Sequence, residues 1–285
     1  MFRQKTFSVF LAALFFLAPL SRGYEAVDAL GRKFEFSKPP VCATIVPAVT
    51  QNIFAIGADS FLVANSRFCV YPEGAKRKIK LGGYIDPDYE KIAELKPEIF
   101  ILPSTADSRV ERRLAKLGIK CFVLNAEGIE NIAADIRLLG ALFDKRSEAE
   151  KRASEFERLI SRSDEGRGRS ALFMFGKMAA GKGSFVGGLL EACGLKNCAE
   201  KIGRPWAELP REFILSARPE ILFVEYENEE VRAELEKYYK TDGVWRATPA
   251  VKNSMICFVP RNFVIIPSSR VGEALKLMRS FCASK

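Results

Sequence analysis

The amino-acid sequence predicts an α/β fold of two βα lobes with parallel-type central sheets, joined by one long helix and facing each other across a cleft. Three observations predict it. Short apolar runs alternate with amphipathic stretches along most of the chain, the pattern of parallel strands covered by helices. A ten-residue segment occurs once in each half, and a charged stretch without glycine or proline lies between the halves. At 285 residues the chain also exceeds one ordinary core, which favours two.

Taken in order, the chain opens with Arg3 and Lys5 before an apolar run of 14 residues, Phe7 to Leu20, followed by Ser21-Arg22-Gly23. A bilayer-spanning helix needs about 20 apolar residues. The shorter run with its basic start reads as a secretory signal peptide, residues 1–23, cut after Gly23. Ala26 to Phe36 reads as strand, a Gly31-Arg32 turn and strand, closed off by Pro39-Pro40. The first lobe, residues 24–140, then pairs Ala43–Val46 with a helix over Thr50–Ile56, Ile99–Leu102 with Ser108–Leu117, and Cys121–Leu124 with Ile129–Leu142. Next, Leu142, Ala149, Ala153, Phe156 and Ile160 keep helical spacing, so residues 141–165 are read as the connecting helix. One helix restricts hinge motion more than a pair of flexible strands does. The second lobe, residues 166–285, places strands at Ala171–Phe175, Leu189–Cys193, Ile221–Glu225 and Ile256–Pro260 and ends on a helix from Val271 to Cys282.

Composition removes several function classes. Apolar residues at 48% and charged residues at 28% supply core and surface without a signature of disorder. The formal charge of +9 falls to +6 once residues 1–23 are removed, and the basic residues are interspersed with acids. That is a solvated surface, not a nucleic-acid footprint. The chain has no histidine, and its seven cysteines show no CxxC spacing, which disfavours a Cys/His zinc site and most hydrolase designs. Gly176 to Lys182 satisfies G-x-x-x-x-G-K, but Gly183 stands where a phosphate loop needs Ser or Thr for magnesium. A glycine-permitted loop at the cleft is the preferred reading.

The recurring segment is Glu90-Lys-Ile-Ala-Glu-Leu-Lys-Pro97-Glu98-Ile99 and Glu212-Phe-Ile-Leu-Ser-Ala-Arg-Pro219-Glu220-Ile221. Both copies follow a proline suited to a first helical turn, Pro87 and Pro210, and both end at a proline that stops the helix and launches a buried strand. An acid in the first turn can simply complement the helix dipole. The same acid at the same place in two lobes also makes a matched pair of anionic knobs, suited to a two-fold partner that presents arginines.

Several of these stretches carry a resemblance. Tyr71-Pro72-Glu73, Gly82-Gly83-Tyr84-Ile85-Asp86-Pro87 with Glu90, Leu95-Lys96-Pro97-Glu98, Val27 to Arg32, Ala180 to Phe185, Pro205-Trp206 before Glu212, and Ser269-Arg270, in that setting, resemble the periplasmic vitamin B12-binding proteins and their iron-siderophore relatives. The resemblance spans nearly the whole mature chain and implies a helical-backbone, class III solute-binding protein: a soluble, monomeric periplasmic component of an ABC importer. It implies that Glu90 and Glu212 dock onto arginines of two transmembrane permease subunits, a directional pairing that favours orientation and on-rate. It places Phe68 and Tyr84 of the first lobe, with Trp206, Phe263 and Arg270 of the second, around the ligand, since aromatic walls suit a large planar molecule. Phe68 stands where the cobalamin receptors have tyrosine and Tyr84 where they have tryptophan. The resemblance as a whole implies a corrinoid as the transported ligand, with a ferric siderophore or haem as alternatives, haem resting on a tyrosine such as Tyr84. The resemblance also implies a Cys193–Cys282 disulfide, with Cys198 as a competing partner. Neither catalytic residues, a metal site nor an intrinsic cofactor is assigned. A cleft enzyme working through paired carboxylates is the reading from another class, and nothing in the spacing of the acids supports it.

Overall fold

The computed structural model describes residues 23–125 and 128–284. The signal-peptide assignment rests on residues 1–22, which lie outside the described residues.

The opening hairpin forms as expected, with β1 (Tyr24–Val27) antiparallel to β2 (Lys33–Phe36). Its turn is organised by Asp28, whose buried carboxylate accepts from the backbone of Leu30 and Arg32 at 3.0 and 2.9 Å, from Arg32 Nε at 2.8 Å and from Val123 N at 3.2 Å. Arg32 reaches on to Glu111 and to the Cys121 carbonyl. The hairpin is thus bolted to the first lobe through one saturated carboxylate.

The first lobe runs β3 (Cys42–Thr44), α1 (Pro47–Ala55), β4 (Leu62–Asn65), α2 (Glu73–Lys76), β5 (Ile79–Lys80), α3 (Tyr89–Leu95), β6 (Ile99–Pro103), α4 (Ser108–Lys116), β7 (Lys120–Leu124) and α5 (Ile129–Leu142). Its strands lie in the order β5-β4-β3-β6-β7, all parallel. Ile99 to Leu102 are fully buried because helices cover both faces of this sheet.

The connecting helix, α6 (Arg146–Ile160), starts five residues later than the charge pattern suggests. The reason is a Schellman-type end to α5: Asp144 adopts φ 53° and Lys145 N donates to Gly140 O at 2.8 Å. The chain turns there and α6 packs back along α5. Arg137 forks onto Glu150 and Glu157 across that pair. Gly140 is required by the approach, since a Cβ at this position would stand 2.2 Å from the Ala149 Cβ. Gly140→Ala is expected to destabilise by about 1–3 kcal/mol through overpacking, read as a lower urea midpoint; an unchanged midpoint would show that the helices can part without cost.

The second lobe contains β8 (Ser170–Phe175), β9 (Met178–Ala180), α7 (Phe185–Ala192), β10 (Lys196–Asn197), β11 (Trp206–Glu208), α8 (Arg211–Ala217), β12 (Ile221–Tyr226), α9 (Glu229–Thr241), α10 (Pro249–Lys252), β13 (Ile256–Pro260), α11 (Arg261–Val264) and α12 (Val271–Ala283). Strands β8, β12 and β13 run parallel, β10 joins β8, and β9 and β11 add an antiparallel edge.

Two expectations are corrected here. Leu189–Cys193 is not a strand: Leu189 to Ala192 belong to α7, and Cys193 is its C-cap. The Ser184 hydroxyl caps this helix by accepting from Gly187 N. Most of the helix is buried and Glu191 is its one exposed residue, so the run carries too little polar alternation to separate helix from strand. The expected Cys193–Cys282 disulfide is not formed. Both residues are buried thiols, as is Cys257 close by, and burial raises all three above the ordinary thiol value. What holds α12 is apolar packing of Val271, Leu275 and Met278, together with Arg279 donating to the carbonyls of Ser161 and Ala192 and Arg169 donating to that of Cys282.

The segment that fits the start of a phosphate-loop pattern is divided in three: the β8–β9 turn with Gly176 at φ 53°, strand β9, and a Gly181-Lys182-Gly183 loop that leads into the Ser184 cap of α7. Strand β9 separates Gly176 from the helix start, so the segment is not one continuous loop around it. One apolar cluster continues from Ile53 and Phe122 through Ile132, Phe156 and Leu189 to Leu275, so both lobes share a core along α5, α6, α7 and α12.

Candidate functional site

The two copies of the repeated segment occupy equivalent places. Helices α3 and α8 both end in a left-handed residue, Lys96 at φ 43° and Arg218 at φ 45°, immediately before the proline that stops them. Buried Ile92 and Ile214 anchor each helix to its sheet. The glutamate that follows the proline in each copy has a structural duty that the sequence alone does not reveal. Glu98 accepts from Val41 N at 2.7 Å, and Glu220 accepts from Ser170 N at 2.8 Å. Each therefore clamps the start of the neighbouring first strand of its lobe, β3 or β8.

The first glutamates, Glu90 and Glu212, are exposed in the first turns of α3 and α8, and neither forms an ion pair or side-chain hydrogen bond among the described residues. A three-residue connection turns each helix back into its strand, so each helix N-terminus points toward the carboxyl end of its sheet.

Those carboxyl ends open onto a cleft of about 620 Å³. Its first-lobe wall comes from the start of α1 (Val46 to Val49), from Pro103 and Thr105 after β6, from Leu124 and Asn125 after β7, and from Asn131, Ile132 and Asp135 on α5. Phe68, Val70 and Tyr84 form its rim, and Ile265, Ile266 and Pro267 cross from the second lobe. Ile265 also borders an aromatic hollow of about 250 Å³ made by Phe175, Met178, Phe185, Trp206 and Val264. Trp206 and Met178 continue into a trough of about 580 Å³ that reaches Pro210 and Phe213, the flanks of Glu212. The 620 Å³ cleft is lined by both lobes and largely apolar, and the other two spaces adjoin it on the second lobe through Ile265 and Trp206.

Three of the five expected ligand residues, Phe68, Tyr84 and Trp206, border these spaces. Phe68, 54% exposed, lies beneath the Arg67 guanidinium at 4.9 Å, and Arg67 is itself forked onto Asp86 at 2.9 and 3.1 Å. Tyr84 projects from a loop in which Gly82 at φ 78° has no room for a side chain, since a Cβ would meet Asp86 O at 2.4 Å. Burial, aided by Asp107, raises the Tyr84 phenol above its ordinary value, so it presents a neutral hydroxyl. Trp206 packs edge-on against Phe175 with ring centres 5.1 Å apart. Arg270 lies 3.7 Å over the Tyr71 ring, spanning the lobes at the cleft margin. Beside it the buried Ser268 hydroxyl donates to Gln51 of α1 at 2.5 Å, and Ser269 N donates to Asn52 at 3.4 Å. Phe263, like Arg270, is not among the residues lining these spaces. It packs half-buried against the core, and its expected place is taken by Ile265, Ile266 and Pro267, because α11 turns Phe263 inward.

The sequence reading did not find the polar floor. Asp135 Oδ1 accepts from Asn125 N at 2.9 Å and from Asn125 Nδ2 at 2.7 Å. Burial raises this carboxyl above the ordinary aspartate value, against the lowering effect of those two bonds.

Comparison with known proteins fits this geometry. The family model described as periplasmic binding protein matches residues 43–262, so the chain belongs to the periplasmic binding protein family. Among particular relatives, the vitamin B12-binding protein of Photorhabdus laumondii subsp. laumondii is 25% identical over 237 residues, 80% of this chain and 82% of that protein. The crystal structure of the periplasmic vitamin B12 binding protein BtuF of Vibrio cholerae has a similar fold, with TM-score 0.72 and 20% identity over 87% of this chain and 99% of that one. So does the periplasmic heme-binding protein RhuT of Roseiflexus sp. RS-1 in apo form, with TM-score 0.72 and 21% identity over 85% and 97%. No helix among the described residues is long and apolar enough to cross a membrane.

Proposed function

We propose that this chain is the substrate-binding component of an ABC importer, that it captures a corrinoid in the interlobe cleft, and that it delivers this ligand to the inner-membrane permease through Glu90 and Glu212. The observation that carries the reading is the coincidence of an apolar, aromatic-rimmed cleft with an unpaired carboxylate at the same helical position of each flanking lobe. A receptor needs both features: walls that hold a large planar ligand and a geometric key for a two-fold gate. Phe68, Tyr84 and Trp206 form the aromatic contacts, and Arg270 closes the margin. The shared core and the Gln51–Ser268 contact favour a receptor that changes shape little when it binds. The relatives that bind vitamin B12 support a corrinoid; the likeness to a haem-binding fold keeps haem, and with it a ferric siderophore, as the second reading. The mature protein acts as a monomer in the periplasm.

Isothermal titration and absorbance spectroscopy with cyanocobalamin test the reading. Saturable one-to-one binding, with ligand recovered unchanged, is expected. Turnover of the ligand, or complete failure to bind cyanocobalamin, haemin and ferric siderophores alike, would sink it.

A further inference from the structure

We propose that Asp135 selects the ligand by charge and donor pattern, so that the cleft admits a molecule presenting N–H or O–H donors, and no anionic group, to its first-lobe wall. The inference rests on the reading of the cleft as a ligand site and narrows the class of ligand it takes.

Among the described residues lining the 620 Å³ space, Asp135 is the one that carries a formal charge. Both donors of Asn125 converge on its Oδ1. Its Oδ2 has no hydrogen-bond partner among the described residues and is not sealed from the cavity. A fixed acceptor in an apolar setting is an incentive for a matching donor, because a carboxylate left unpaired there is costly. For an anion the same wall is hostile. The nearby basic groups are already committed: Arg67 to Asp86, Arg270 to the Tyr71 face, and Arg261 to buried Glu225 at the end of β12. Arg204 stands farther out, in the trough beyond Trp206, where Glu208 accompanies it. An entering carboxylate or catecholate would meet Asp135 in low dielectric without a free countercharge beside it. An amide-fringed, net-neutral corrinoid satisfies the site, and so does a cationic hydroxamate chelate. A haem with its two carboxylates and a tris-catecholate ferric complex do not.

Four probes test this: cyanocobalamin, ferrioxamine B, haemin and ferric enterobactin, each titrated against the unaltered mature protein and against Asp135→Asn. The variant keeps an oxygen to accept both Asn125 donors and changes Oδ2 from acceptor to donor, so its thermal midpoint should not move. Cyanocobalamin or ferrioxamine B is expected to bind the unaltered protein tightest. Asp135→Asn should weaken that ligand about tenfold and strengthen haemin by a similar factor. A purely structural role would move all affinities in one direction, and that result overturns the proposal. Tighter binding of haemin or ferric enterobactin by the unaltered protein also overturns it, whatever the variant does, while leaving the receptor reading intact. If none of the four binds, the receptor reading falls and this proposal with it.

Discussion

Alanine at both Glu90 and Glu212 is expected to leave ligand affinity unchanged and to stop uptake. Both carboxylates are exposed and make no internal bond among the described residues, so their removal costs the fold little. The proposed docking places their contribution in the complex with the permease. Truncating one partner of a hydrogen-bonded charge pair at an interface weakens association by about tenfold or more. With two such pairs engaged together, the losses multiply as bivalent docking collapses to a single weak contact. Each single variant should therefore slow uptake partially, and the double variant should reduce it at least about a hundredfold. Transport into proteoliposomes carrying the permease, measured beside ligand titration of the same variants, separates delivery from capture. Uptake at the unaltered rate would remove the docking role from these residues. Loss of ligand affinity would show instead that they act within the cleft.

Trp206→Ala is expected to have the largest effect on capture. The indole is half-buried, packs against Phe175 and Phe185, and borders both the aromatic hollow and the outer trough. Removing it joins the two spaces and deletes the aromatic wall they share, on which the proposed ligand rests. Aromatic anchors of this kind contribute about 2 kcal/mol or more, so affinity should fall roughly 30- to 100-fold, with Trp206→Phe intermediate. The chain has two tryptophans, and the other, Trp245, is buried in the separate second-lobe cluster around Tyr239. Ligand quenching of tryptophan fluorescence should therefore disappear with Trp206. Quenching that persists in Trp206→Ala, with unchanged affinity, would move the ligand away from this wall.

Local signals in the chain were strong wherever an element carries its own punctuation. Helix α5 spans the expected Ile129–Leu142 and β13 the expected Ile256–Pro260. The repeated segment marked the equivalent helices α3 and α8 because Pro97 and Pro219 enforce the same stop in each lobe. Where punctuation is ambiguous the reading failed. Helix α7 is buried except at Gly188 and Glu191, too short an interruption of its apolar run to mark a helical period. The break between α5 and α6 is set at Asp144, beyond the last helical residue Leu142, and this residue enters the left-handed region only because the following turn of chain holds it there.

The sequence by itself determined the α/β alternation, the two-lobed plan, the paired glutamates and the aromatic rim at Phe68, Tyr84 and Trp206. The first three follow from periodicity, helix stops and a repeated order of residues, all properties of neighbours along the chain, and the rim residues follow from the resemblance to the vitamin B12-binding and iron-siderophore receptors. The tertiary structure alone decided that Glu98 and Glu220 are strand clamps, that Ile265 to Pro267 displace Phe263 at the cleft, that three buried thiols gather behind α12, and that Asp135 faces the cavity on the arm of Asn125. Each of those depends on contacts between segments far apart in the chain. Their geometry is fixed by the packing of whole elements, and no local pattern of residue types encodes it.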